Sequence, residues 1–346
     1  MGAGEPRGCR FGGVTICAQA ARTKKGPLEP FAYEPAPLGP HDVEIRISHC
    51  GICHSDVHLV DGDWGVGSYP MVPGHEIAGT VTALGPEVSH LERGARVGVG
   101  WQRSACLACD ACGRGDENLC ASEEATCVSH HGGFAEAIRV DSRFAFPVPE
   151  PLAPEAVAPL LCGGITVYSP LRRWVRPAMR VGVVGIGGLG HLALQFARAM
   201  GCEVTAFSSS PDKEEDARGF GAHAFVAVDQ PAALRAVAGR LDFVLSTVFV
   251  AADWKGLLGA LRPNGVLCFV GAPKQPLKLP VGAILGGQKT ITASVIGGRP
   301  AIREMLEFAA RHGIAARTQV RPLAEADAAL AEVREGRARY RVVLQP

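Results

Sequence analysis

The chain has 346 residues, 47% of them hydrophobic, and its 35 Lys plus Arg nearly balance 34 Asp plus Glu for a formal net charge of +1. That length accommodates two domains with their own cores, and the neutral balance with scattered arginines argues against nucleic-acid or anionic-membrane partners. No charged-then-apolar leader and no stretch near the ~18 apolar residues of a membrane span is present, so a cytoplasmic location is expected, where twelve cysteines point to metal or redox chemistry before disulfides.

The first ten residues, rich in glycine and charge, read as a frayed terminus, and short strand signals separated by Pro and Gly follow to about Glu150. Within them Val43, Ile45 and Ile47 alternate with Asp42, Glu44, Arg46 and Ser48, the period-2 pattern of a half-buried strand. The strand runs into Gly51-Ile52-Cys53-His54-Ser55-Asp56-Val57-His58, a dense set of thiol, imidazole, hydroxyl and carboxylate groups. Pro73-Gly74-His75-Glu76 then precedes a strand-like run over 77–84, and Leu161-Cys162-Gly163-Gly164 supplies a further thiol. Taken alone, Cys53 also reads as a small buried apolar residue. Together, Cys53, His75 and Cys162 are the donors of an open zinc site, with three protein ligands and a fourth position for water or substrate oxygen. A second set, Cys106-x-x-Cys109-x-x-Cys112-x7-Cys120, lies in a polar, turn-rich segment over 104–121. A closed tetrahedral zinc site suits it, with an iron–sulfur cluster and unmetallated thiols as competing readings. The other six cysteines are assigned only to packing.

From Pro154 the texture changes to alternating helical and strand-like blocks. Val181-Gly182-Val183-Val184 is a short apolar strand followed directly by Gly185-Ile186-Gly187-Gly188-Leu189-Gly190. Leu192, Ala193, Phe196, Ala197 and Met200 then recur at helical spacing, with Gly201 as the stop. A glycine-rich turn between strand and helix lets a backbone approach a pyrophosphate on the helix N-terminus, a purely structural turn being the alternative. The next strand, 203–207, ends in Ser208, Ser209 and Ser210 with Lys213 close by, where an NAD-binding fold usually presents an acidic residue. Hydroxyls and an ammonium suit a 2′-phosphate and hence NADP(H). The alternative is a solvated turn opening a helix over 212–218. Further βα units are expected around strands at 242–245, 266–270 and 291–296. A helix over 301–311 and a final strand over 340–344 are expected to pack back on the first domain.

With these residues in place, the chain resembles the zinc-dependent medium-chain alcohol dehydrogenases, most closely their cinnamyl alcohol dehydrogenase-like branch, in 51–58, 69–76, the 106–120 lobe, 160–170, 184–193 and 338–344. The resemblance implies an α/β fold in which a GroES-like, mostly β catalytic domain (1–153 and 293–346) is interrupted by a Rossmann cofactor domain (154–292), in a homodimer or homotetramer. It implies two zinc ions per subunit. The catalytic one is held by Cys53, His75 and Cys162, with Glu76 nearby and Asp56 behind the ligands, and the structural one by Cys106, Cys109, Cys112 and Cys120. Thr166 is implied at the nicotinamide and Arg341 at the pyrophosphate. Ala95 and Gly163 depart from the branch's frequent residues, which weakens assignment of a lignin-type aldehyde. The expected reaction is NADP(H)-dependent interconversion of primary alcohols and aldehydes, aromatic or medium-chain, with Trp64, Trp101 and Ile296 lining the pocket or, as the competing reading, serving as ordinary core. A proton relay is expected to run through Ser55 and His58, hydroxyl and imidazole being able to donate and accept, the alternative being that Ser55 caps the following helix and His58 is a surface residue; His54 is expected to point away from the metal. The rival readings are a quinone or enoyl reductase of the same superfamily and a non-catalytic NADPH-binding protein.

Overall fold

In the strand Asp42–Gly51 the alternation places Val43, Ile45 and Ile47 inside and leaves Arg46 outside. Each such buried aliphatic side chain contributes roughly 1.5–3 kcal/mol. The computed structural model describes residues 15–273 and 275–346, so the expected frayed terminus lies outside the described residues. Contacts divide the chain into two units, one running to Leu161 and resuming as Arg317–Pro346, the other Cys162–Ala316.

In the first unit Asp42–Gly51 is the hub of a seven-stranded sheet. It pairs antiparallel with Glu76–Leu84, with Ala137–Asp141 and, at its end, with Arg341–Gln345. Arg96–Val99 and Ala145–Pro147 extend one side, and Thr318–Pro322 runs parallel to Arg341–Gln345 on the other. Because the central strand meets Glu76 and Val343 opposite the same Gly51, its C-terminal end gathers three segments that are remote in sequence. The short helices Pro154–Val157 and Ala158–Leu161 also belong here. Leu161 packs so tightly on Gly98 that a Cβ there would come within 2.4 Å of its Cδ1, so the change of unit follows Leu161 and not residue 153.

In the second unit all six strands are parallel, in the spatial order Ala224–Ala227, Glu203–Ser208, Arg180–Val184, Leu241–Ser246, Leu261–Phe269, Thr290–Ala293. This is the doubly wound 3-2-1-4-5-6 order, whose ligand crevice lies where the order reverses, beyond Arg180–Val184 and Leu241–Ser246. Leu241–Ser246 is buried along its whole length, as expected of a strand covered on both faces.

The helix Arg299–His312 corrects an expectation. Its apolar stripe of Ile302, Met305, Leu306 and Ala309 is buried, and it packs on the helix Gly163–Trp174 of the same unit. Tyr168 Oη donates to Glu304 Oε1 at 2.8 Å, and Phe308 meets the rings of Tyr168 and Phe196. Helical spacing predicted an apolar face but not the surface it would meet. Return to the first unit begins at Arg317, not at residue 293.

Candidate active site and metal centres

Cys53 lies two residues beyond the central strand and caps the helix His54–Val60, with Asp56 in the first turn. The Asp56 carboxylate, 0% exposed, accepts three N–H groups. Cys53 N donates to Oδ2 at 2.8 Å, and Gly74 N and His75 Nδ1 donate to Oδ1 at 2.9 and 3.1 Å. One buried carboxylate thus orients both a thiol-bearing residue and an imidazole. Donation from Nδ1 fixes the His75 tautomer and leaves the lone pair on Nε2 for a metal. Cys162 is the junction residue, joined through its peptide bond to Leu161. Ligand atoms of Cys53, His75, Glu76 and Cys162 all lie within 4.8 Å of one another. Two thiols and an imidazole at this spacing suit the open N/S coordination of zinc, and the oriented imidazole supports that fit independently of the spacing.

The four lobe cysteines also converge, with ligand atoms within 4.8 Å of one another. The helix Asp110–Gly113 and the 3-10 turn Glu117–Leu119 carry the chain around them, and Gln102 Nε2 ties the lobe down by donating to Glu117 O at 2.7 Å. Cys106 Sγ lies 3.9 Å from Cys112 Sγ and 3.5 Å from Cys120 Sγ. Backbone N–H groups of Ala108 and Cys109 draw the Cys106 thiol down to about 6, toward the thiolate that a metal requires. Four thiols gathered this closely fit a structural zinc.

In the second unit Gly185 has φ +87 and its Cβ would come within 2.4 Å of Val248, while a Cβ on Gly190 would meet the Gly185 carbonyl at 1.8 Å. Both glycines are required to close the turn. Gly187 is different: a Cβ there would meet nothing within 4 Å. Its face is open, as close approach of a pyrophosphate requires, and Gly188 and Leu189 lead from it into the helix Gly190–Ala199. The strand Glu203–Ser208 delivers Ser208, whose Oγ accepts from Ser210 N at 3.1 Å. Ser209 and Ser210 follow, and Lys213 reaches back to donate to Ile186 O at 2.8 Å, so its ammonium sits against the glycine turn.

Residues 39–150 match the family model described as alcohol dehydrogenase GroES-like domain, and residues 188–311 that of zinc-binding dehydrogenase. The aldehyde reductase AdhA of Synechocystis is 42% identical over 330 residues, covering 95% of this chain and 98% of that protein. The chain belongs to the zinc-type medium-chain alcohol dehydrogenases, in their cinnamyl alcohol dehydrogenase-like branch. Among solved structures, the Sorghum bicolor cinnamyl alcohol dehydrogenase SbCAD4 is 38% identical, with TM-score 0.92 over 96% of this chain and 97% of that one. The Helicobacter pylori CAD complexed with NADP(H) is 35% identical, with TM-score 0.89 over 96% and 98%. Membership of this family makes the chain an oxidoreductase of alcohols and aldehydes.

Within this alcohol dehydrogenase site, Arg341 has a partner that the sequence did not announce. It is 5% exposed, and its Nη2 donates to both carboxylate oxygens of Glu76 and, at 3.1 Å, to Ile52 O. Inside the catalytic unit the guanidinium counters the charge of Glu76. Burial pushes the Glu76 carboxyl up to about 7, Arg341 draws it down and Cys53 raises it. Gly51 makes this arrangement possible, since a Cβ there would lie 2.1 Å from Glu76 Oε2.

The relay candidates both lie on the helix after Cys53. Ser55 Oγ is 3.6 Å from Cys53 Sγ, and His58 Nδ1 donates to Asp63 Oδ2 at 2.8 Å. His54 stacks edge-on against His58, with ring centroids 5.0 Å apart. Trp64 meets His58 at 5.3 Å and Trp101 at 6.1 Å, and Trp101 stands edge-on to His75 at 4.9 Å. Thr166 lies one turn along its helix from Cys162, whose carbonyl accepts from its N–H at 3.0 Å. Ile296 precedes the helix Arg299–His312 in the second unit. Two neighbours escaped sequence reasoning. Asp63 had the signal of a carboxylate five residues beyond a candidate histidine, whereas Cys127, with Sγ 3.9 Å from His75 Nδ1, carried none.

Proposed function

We propose that this chain interconverts primary alcohols and aldehydes, aromatic or medium-chain, with NADP(H) and two zinc ions per subunit. The observation that carries the reading is the convergence of Cys53, His75 and Cys162, with Asp56 holding the first two in place. A zinc-free quinone or enoyl reductase would have no use for that donor set. When bound, zinc supplies the Lewis acidity that polarises a substrate C–O bond, and NADP(H) supplies or accepts hydride.

The chain's own residues do the rest. Ser55, beside Cys53, passes the proton that a substrate oxygen gains or loses, since a hydroxyl can donate with one lone pair while accepting with another. His58 continues the path. Its Nδ1 is committed to Asp63, so Nε2 is the atom left to exchange protons with solvent. Trp101 stands against His75 and Trp64 packs edge-on to Trp101, an apolar aromatic lining that suits aromatic or medium-length chains. The serines at 208–210 favour the 2′-phosphate of NADP(H), where an aspartate would repel it. The H. pylori relative solved with NADP(H) supports the same preference.

Steady-state reduction of an aldehyde panel with NADPH and NADH, alongside zinc analysis, tests this reading. Two zinc ions per chain are expected, together with higher kcat/KM for NADPH; Ser208→Asp should invert the cofactor preference. One zinc, or iron, in the purified protein would overturn the metal assignment. NADH equal to or better than NADPH would overturn the cofactor assignment.

A further inference from the structure

His191 directly follows the glycine-rich turn and is 0% exposed, yet neither closure of the turn nor the hydride chemistry above uses it. Its backbone N–H and its ring Nδ1 reach the same acceptor, the carbonyl oxygen of Gly187, at 3.1 and 3.0 Å. The backbone bond is the ordinary first bond of a helix. The ring bond is an addition, and because a carbonyl only accepts, it fixes Nδ1 as the protonated nitrogen. Little freedom remains for the imidazole: it packs edge-on against Phe220 at 5.3 Å, and Gln195 Nε2 donates to the His191 carbonyl at 3.1 Å.

We infer that His191 is a positioning residue for the cofactor pyrophosphate, acting through the Gly187–Gly188 peptide. That peptide is trans, the cis bonds of the described chain lying at 69–70 and 339–340, so its C=O and N–H point in opposite directions. With the Gly187 carbonyl held toward the helix by two donors, the Gly188 N–H is turned away from it, and the adjoining Gly187 leaves its own Cβ position open, with nothing within 4 Å. A preset N–H directed at a phosphate oxygen makes a charge-assisted bond without first reorienting the loop. Two donors on Gly187 O also polarise the peptide and strengthen the N–H on its far side.

This inference rests on the dinucleotide reading proposed above, and equilibrium binding separates the two. NADPH is titrated by its fluorescence, and adenosine 2′-monophosphate, which lacks the pyrophosphate, by calorimetry, against wild type and three variants. His191→Leu removes the donor. His191→Asn keeps an amide N–H near the Nδ1 position, whereas His191→Gln moves it outward. Leu and Gln variants should bind NADPH about tenfold more weakly, the scale of one charge-assisted bond, with adenosine 2′-monophosphate affinity unchanged. His191→Asn should restore most of the loss, and steady-state KM for NADPH should move while kcat stays within about twofold.

If the Leu variant does not fold, the Asn and Gln pair decides the matter alone. NADPH affinity equal in Gln, Asn and wild type would overturn the inference while leaving the dinucleotide reading intact. So would parallel weakening of both ligands, which marks general loss of structure. A wild-type protein that binds neither nucleotide would overturn both.

Discussion

The Asp56→Asn substitution is nearly isosteric and probes the catalytic centre through one atom. The carboxylate accepts from Cys53 N, Gly74 N and His75 Nδ1. An amide can satisfy at most the two donors on Oδ1, leaving Nδ2 against the N–H of Cys53 with two donors face to face. Hydrogen bonds to a charged group contribute about 1.5–3 kcal/mol each, so losing one at a site that is 0% exposed costs about that much. The remaining two also lose their charge assistance. The cost falls on the loaded state, because Asp56 sets the direction from which Cys53 and His75 meet the ion. The expected loss of catalytic zinc affinity is about 10- to 100-fold, the usual effect of removing a partner behind a metal-bound histidine. Competition with a chromogenic chelator measures it. The lobe zinc serves as an internal control, since no lobe cysteine is among the groups bonded to Asp56. A variant that holds both zincs with wild-type affinity and keeps wild-type kcat would refute the argument that Asp56 orients the ligands.

Cys109→Ser should lower the denaturation midpoint and remove one zinc per chain, because a closed structural site contributes its binding energy to folding; an unchanged melt with one zinc lost would count against this. Ser55→Ala should reduce kcat by about 10²- to 10⁴-fold with zinc and NADPH binding retained, and His58→Gln should cost less because water can substitute; near wild-type kcat in the serine variant would remove it from the relay. Burial raises the Glu76 carboxyl to about 7 from an ordinary 4.5, against the downward pull of Arg341 and with a further rise from Cys53. The folded state therefore binds this proton more tightly than the unfolded one, and its contribution to stability is complete below about 4.5 and lost as pH rises through about 7. Arg341→Met removes the opposing pull, so in urea melts of the zinc-stripped protein the variant should lose more stability than wild type between pH 6 and 8, and parallel curves would refute the pairing.

Much of the site was legible because its donors are chemically unusual in their surroundings. Thiols and an imidazole at strand ends, four cysteines in one polar loop and glycines between a strand and a helix have few bland explanations. The central strand was legible from the alternation of Val43, Ile45 and Ile47. Partnerships were harder to read. The stripe Ile302, Met305, Leu306 and Ala309 announced a buried face, but an apolar stripe carries no address, and the helix joined Gly163–Trp174 in its own unit.

Arg341 illustrates the same limit with charge. In sequence it is an arginine entering a terminal strand, compatible with any anion. Its partner became apparent only because register brings Arg341–Gln345 and Glu76–Leu84 to the same end of Asp42–Gly51, and because Gly51 leaves room for the carboxylate. An unpaired Glu76, 0% exposed among donors meant for a cation, would face a desolvation cost of several kcal/mol. A guanidinium bound to both its oxygens offsets that cost and holds the carboxylate beside Cys53, His75 and Cys162. Gly51, Glu76 and Arg341 therefore form one device: replacing any of them should disturb the other two before it disturbs the metal ligands.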